Sequence, residues 1–191
     1  MASIIRGEDN FNSSAAGGGF RFISSTDLAS DATADFTGFN ASLYDSYQFV
    51  FLNVSPSRDG TVPAMRTSTD GGATYNSTLG DYTWAQSSHG NAQESYSAGL
   101  GPAQIYLTVG QIGNNTGEEG MSGVVQVFGP HLARRTNIIT DFGYVSSTAK
   151  TTRTNGSAIV ASSAAFNAVR FYFIAGVMAS GTITMYGKMN S

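Results

Sequence analysis

The chain is punctuated every few residues by glycine or by Asn, Asp and Ser clusters, and no segment between these breaks carries an amphipathic 3.6-residue period. That pattern constrains the fold more than any other feature. Its segments are short, rich in aromatic and β-branched residues, and alternate in polarity, which is the signature of half-buried strands. Asp45 to Val54 (DSYQFVFLNV) is the strongest of them. Alternation places Tyr47, Phe49 and Phe51 on one face and Val50, Leu52 and Val54 on the other, so this strand is expected at the centre of a sheet. Asn167 to Ala175 (NAVRFYFIA) is the next strongest.

Further strands are expected from Phe20, with Phe22 on the same face, and over Val62 to Thr69, with Met65 in the core. Asp81 to Gln86, Ala103 to Val109, Ser122 to Phe128, Arg134 to Tyr144, Ala158 to Ala161 and Gly181 to Gly187 complete the set. In the last, Ile183 and Met185 face opposite to the threonines. Single helical turns are expected around Ser24 to Ala34 and Ala161 to Ala168. About ten short strands joined by tight turns, with no internal repeat, imply an all-β antiparallel sandwich of jelly-roll type. The chain of 191 residues divides into an N-terminal arm, residues 1–18, and one sandwich domain, residues 19–191. The arm carries an apolar patch at Ile4 and Ile5, a charged turn beginning at Arg6, an isolated Phe11 and then a small-residue linker without core-forming side chains.

Composition excludes several function classes. There is no cysteine, so no disulfide, thiolate metal site or cysteine nucleophile. The two histidines, His89 and His131, are far apart, and no metal or cofactor is expected; no Asp-rich calcium loop is present. Ten basic residues against thirteen acidic ones leave no basic footprint for nucleic acid. No apolar run approaches the ~18 residues of a membrane span, and no secretory leader opens the sequence. Only 12% of residues are charged, so hydroxyls and amides do most of the solvating.

The sharpest local motif is Ser68-Thr69-Asp70-Gly71-Gly72-Ala73-Thr74-Tyr75, which matches the Asp-box pattern. Ser68, Asp70, Gly72, Thr74 and Tyr75 are expected to build a β-hairpin turn: the carboxylate accepts backbone N–H groups and the glycines supply positive φ. Glycan-cleaving propellers carry several such boxes and are longer, so one box here reads as structural. Glycoside hydrolysis needs two carboxyl groups flanking the bond. Glu94, Glu118, Glu119, Asp81 and Asp141 are the candidates by type, but no spacing selects a pair and no nucleophile elbow is present. No catalytic residue is therefore expected. Tyr82 and Trp84 share a strand face by their spacing of two and are candidate glycan contacts; the alternative is a core or inter-subunit aromatic pair.

The order of several segments resembles a known module. They are Phe36-Thr37-Gly38, Tyr44 to Phe51, Asn53-Val54 with Pro56, Met65 to Ser68 running into Asp70-Gly71-Gly72, Asp81-Tyr82, Asn167 to Phe173, and Ala179 to Gly187. Together they are similar to a module that recurs in tailed bacteriophages and prophages, and Ile5 to Phe11 resembles the start of phage fibre-type proteins. The resemblance is clear near residues 20–85 and in the last 25 residues, and vague between 86 and 160. It implies a structural virion protein without catalytic residues: a fibre- or spike-like component of tail or head, assembled in the host cytoplasm. Expected partners are further copies of the chain as a homotrimer, other virion proteins through the arm, and host-surface polysaccharide. A capsid decoration protein and a free carbohydrate-binding module are the alternatives.

Overall fold

The computed structural model describes residues 19–91, 94–118 and 120–190. These form twelve strands and no helix. In chain order the strands are β1 (Phe20–Leu28), β2 (Ala34–Phe36), β3 (Tyr44–Pro56), β4 (Pro63–Ser68), β5 (Tyr82–Gly90) and β6 (Glu94–Leu100). They continue as β7 (Ile105–Tyr106), β8 (Met121–Phe128), β9 (Asn137–Val145), β10 (Thr151–Val160), β11 (Ala168–Phe173) and β12 (Met178–Met189). An eight-stranded sheet runs β1-β12-β3-β8-β9-β10-β5-β6, and a four-stranded sheet runs β2-β11-β4-β7, with every neighbouring pair antiparallel. The two pack face to face as a sandwich whose strand count exceeds the eight of a simple jelly roll.

The sheets meet on an aromatic cluster. Phe171 of the small sheet stands edge-on to Phe49 at 5.1 Å and Phe51 at 5.0 Å in the large one. Phe36 closes on Phe49 at 5.3 Å, and Phe51 on Phe142 at 5.1 Å. Edge-to-face packing suits the ring quadrupoles and adds to the burial of each ring. Met65, Val125, Val127, Ile138, Ile183 and Met185 fill the space around these rings, all fully buried.

β3 lies between β12 and β8, central in its sheet as its composition predicts. Its alternation does not persist to the end, however. Tyr47, Phe49 and Phe51 are buried, but so is Val54, which the spacing assigns to the opposite face. A bulge is responsible. Asn53 takes φ +48°, and the register with both β12 and β8 shifts there. One extra residue exchanges the faces of everything after it. Gly181 on β12 makes room: its φ is +112°, and a Cβ there would come within 2.6 Å of the Asn53 carbonyl oxygen.

Other boundaries differ from the sequence reading. The stretch from Ser24 to Ala34 continues β1 and opens β2 instead of turning helically, and residues 161–167 form bends. β6 escapes an apolar-pattern search because ESYSAGL has no core face, and β10 extends well ahead of Ala158, where its buried residue is the polar Thr154. Ala103 to Val109 is a strand only at Ile105–Tyr106. Beyond it Leu107 and Ile112 are fully buried, with Leu107 N donating to the Pro63 carbonyl at 2.9 Å and Ile112 bridging Thr61 and Ser146.

Replacing Phe171 with Ala should cost about 3–5 kcal/mol in urea unfolding, because the cavity opens between the sheets. Phe22→Ala, on the exposed side of β1, should change stability by no more than about 0.5 kcal/mol.

Candidate functional site

The Asp-box residues form a closed hydrogen-bond knot. Ser68 Oγ donates to Asp70 Oδ1 at 2.6 Å and accepts from Gly72 N at 2.9 Å. Asp70 Oδ1 accepts from Thr74 N at 2.9 Å, and Oδ2 accepts from Thr74 Oγ1 at 2.6 Å. Gly71 and Gly72 take φ +75° and +92°, as this reversal requires. The bonds from the Ser68 hydroxyl, the Thr74 hydroxyl and the Thr74 amide hold the Asp70 carboxyl down at about 2. Tyr75 lies over the Arg170 guanidinium, 4.1 Å from its ring centre. The knot is not a hairpin, however. β4 belongs to the small sheet and β5 to the large one, so the loop arches across the end of the sandwich. Gly71 N donates to Asn167 Oδ1 at 2.8 Å and Asn167 N to the Ser68 carbonyl at 2.9 Å, tying the arch to the start of β11.

Tyr82 and Trp84 do share a face, but it is the inner one. Tyr82 is fully buried: its hydroxyl accepts from Thr67 N at 2.9 Å and donates to the Asn76 carbonyl at 3.0 Å, closing the same arch. Burial pushes its phenol up. Trp84 packs edge-on to Tyr106 at 5.4 Å and lies against Gly99, where a Cβ would meet the indole at 2.7 Å. Neither ring presents a face to solvent, so the stacking surface expected for a pyranose is not at these two residues. Ile4, Ile5, Arg6 and Phe11 lie outside the described residues, as does Glu119.

The remaining candidate carboxylates each serve a local partner. Asp81 accepts from Thr78 N at 2.7 Å, and Glu118 accepts from the Asn115 amide and side chain at 2.9 and 3.1 Å. Glu94 faces His89 at 3.4 Å. Asp141 is gripped at both oxygens by Arg153, at 2.9 and 2.6 Å, and this bonding holds its carboxyl below the usual range. Among the described residues no three His, Asp or Glu side chains come close enough to hold a metal ion.

Asp141 and Arg153 mark a feature that the residue types alone do not reveal. The ladders place Asp141, Asn155, Ser87 and Tyr96 side by side across β9, β10, β5 and β6, all on the outer face of the large sheet. The next row brings Gly143, Arg153, His89 and Glu94 together in the same way. An open cleft of about 1000 Å³ runs over Gly143, between Asn53 and Ser122 on one side and His89 and Arg153 on the other. A Cβ on Gly143 would meet nothing within 4 Å, so the floor there is bare. A second cleft of about 500 Å³ adjoins it across Asp141 and Arg153 and reaches Asn155, Ile139 and Tyr96. Tyr96 is 76% exposed.

The chemistry that this surface offers is hydrogen bonding. It offers a fixed carboxylate–guanidinium fork, amides, hydroxyls and a free aromatic ring. An exposed ion pair contributes little to stability because solvent screens it. Asp141 and Glu94 were visible by type. Arg153, Asn155 and Ser87 were not, because only the strand register makes them neighbours.

Two outcomes test the arch. Asp70 has its carboxyl lowered on folding, so the stability it supplies is present above pH about 4 and is lost as pH falls toward 2. Asp70→Asn should therefore be less stable than the parent at pH 7 and should lose less between pH 4 and 2 in acid-unfolding curves. Tyr82→Phe strands the buried Thr67 amide and should cost about 1–3 kcal/mol in denaturant unfolding.

Comparison with protein-family models, with curated proteins and with solved structures finds no match to this chain.

Proposed function

We propose that this chain is a structural component of a tailed-phage particle, a fibre- or spike-like subunit of tail or head, and that the cleft around Asp141 and Arg153 contacts host-surface polysaccharide. The observation that carries the reading is the outer face of the eight-stranded sheet. It stays open to solvent and gathers polar groups and an exposed tyrosine along one trough. A polyhydroxylated chain suits such a surface, since each sugar ring supplies paired hydroxyls to the fork and an apolar face to the tyrosine. Asp141 and Arg153 neutralise each other in the trough, which favours a neutral glycan.

Self-association accords with the edges of the large sheet. β6 is an outermost strand with Leu100 90% exposed, and β1 at the other edge exposes Phe20 and Phe22. Unpaired edges with apolar side chains are covered in stable proteins, and a homotrimer would cover them. In this reading residues 1–18 join the subunit to other virion proteins.

Immunogold electron microscopy of particles from the source, with antibody to residues 20–191, tests the placement. Gold on fibres, tail or head supports a virion component and says which part it decorates; unlabelled particles overturn it. Host polysaccharide binding tests the cleft separately. Tyr96→Ala and Arg153→Gln should each weaken it by about tenfold or more, the loss expected for one stacking or charge-assisted contact. Undiminished binding in both variants would remove the cleft from the mechanism.

A further inference from the structure

We propose that Gly143 is the floor of a sugar subsite: one pyranose ring of the polysaccharide, carrying no substituent on the face turned to the sheet, lies flat on the β9 backbone there. This rests on the reading of the cleft as a polysaccharide contact, and it names the part of the ligand that the cleft selects. Gly143 is exposed within β9. A glycine inside a strand gives up backbone entropy and packing. Its usual reasons are a bulge, a bend, the close approach of another part of the chain, or a ligand. The first three do not apply. β9 pairs with β8 and with β10 on either side of Gly143 without a shift in register, and Gly143 does not take positive φ. A Cβ on it would meet no atom of the described residues within 4 Å. Other strand glycines differ. A Cβ would strike the Trp84 indole at Gly99, the Asp141 carbonyl at Gly123, the Gln86 side chain at Gly156 and the Tyr44 ring at Gly187. Packing accounts for each of those, whereas Gly143 faces the open cleft of about 1000 Å³.

The surroundings suit a flat ring. β9 is interior to its sheet, and both neighbours use its ladder groups, so an added peptide strand finds no edge to pair with there. Ser122 stands opposite Gly143 on β8 and Arg153 stands opposite it on β10, so side chains border the bare backbone on two sides. Asn53 Oδ1 accepts from the Ser122 hydroxyl at 3.1 Å, and the Asn53 side-chain N–H groups make no bond to the described residues. Arg153 places Nε and Nη2 on Asp141 and leaves Nη1 without a bond to the described residues. Donors thus line both sides of the cleft, where equatorial ring hydroxyls project, while the bare peptide is left to the C–H face of the ring. A side chain at position 143, or a branch on that face of the sugar, would compete for the same space.

The test pairs urea unfolding with calorimetric titration of polysaccharide purified from the host cell surface, using the full chain and its Gly143→Ala and Gly143→Val variants. Valine suits a strand better than glycine, so Gly143→Val should unfold at the same urea concentration as the parent or a higher one. Its binding should be weaker by about tenfold or more, with Gly143→Ala between the two. Weaker binding in a variant that is no less stable cannot come from loss of the fold. A lower urea midpoint for Gly143→Val would give the glycine a structural reason and overturn the subsite. So would binding by Gly143→Val equal to the parent's; if Tyr96→Ala still weakens binding in that case, the polysaccharide cleft stands without the subsite. No binding by the parent overturns both.

Discussion

Phe171 is the contact on which the sandwich depends. It is the ring of the small sheet that reaches both Phe49 and Phe51 of the large one, and Phe36 and Phe142 extend the cluster outward from those contacts. An antiparallel sheet with one apolar face is not stable alone; it must bury that face against another layer. The ring cluster provides that layer where four strands face eight. It also sets what remains for function, because once the inner faces meet, the outer faces are left to solvent.

Two local devices let the chain satisfy this packing. The bulge at Asn53, accommodated by Gly181, exchanges the faces of β3 so that Phe51 and Val54 both reach the core. Ser122 closes around it, its hydroxyl accepting from Asn53 N at 3.0 Å and donating to Asn53 Oδ1 at 3.1 Å. The Asp-box arch carries the chain from one sheet to the other with its polar groups paired among Ser68, Asp70 and Thr74, while the Tyr82 hydroxyl ties Thr67 to Asn76 at its base. Each device meets the same requirement: backbone polar groups that leave a ladder need partners elsewhere.

The two outer faces are chemically distinct. On the large sheet the Asp141–Arg153 pair lies in a trough lined by amides and hydroxyls. On the small sheet Asp35 holds Arg170 at both carboxylate oxygens, while Arg66 donates to the neutral Ala103 carbonyl and Gln104 side chain.

Much of the fold was legible in the amino-acid order. The all-β class, the central position of β3, Met65 in the core and the opposed faces of Ile183 and the threonines all follow from period-two alternation, which is local chemistry. Strands without apolar alternation, β6 and the first half of β10, were not legible, because ladder hydrogen bonds to neighbouring strands place them and no apolar period marks them. Tyr82 and Trp84 show the limit well: spacing put them on one face, but only packing decides whether that face looks inward. The Asp-box knot was determined by its sequence, since its donors and acceptors lie within a few residues of each other. That it arches between sheets, that Arg153 grips Asp141, and that Arg66 and Arg170 are register partners were decided by the tertiary structure alone. Register is a property of pairs of strands distant in sequence, and nothing within either strand records it.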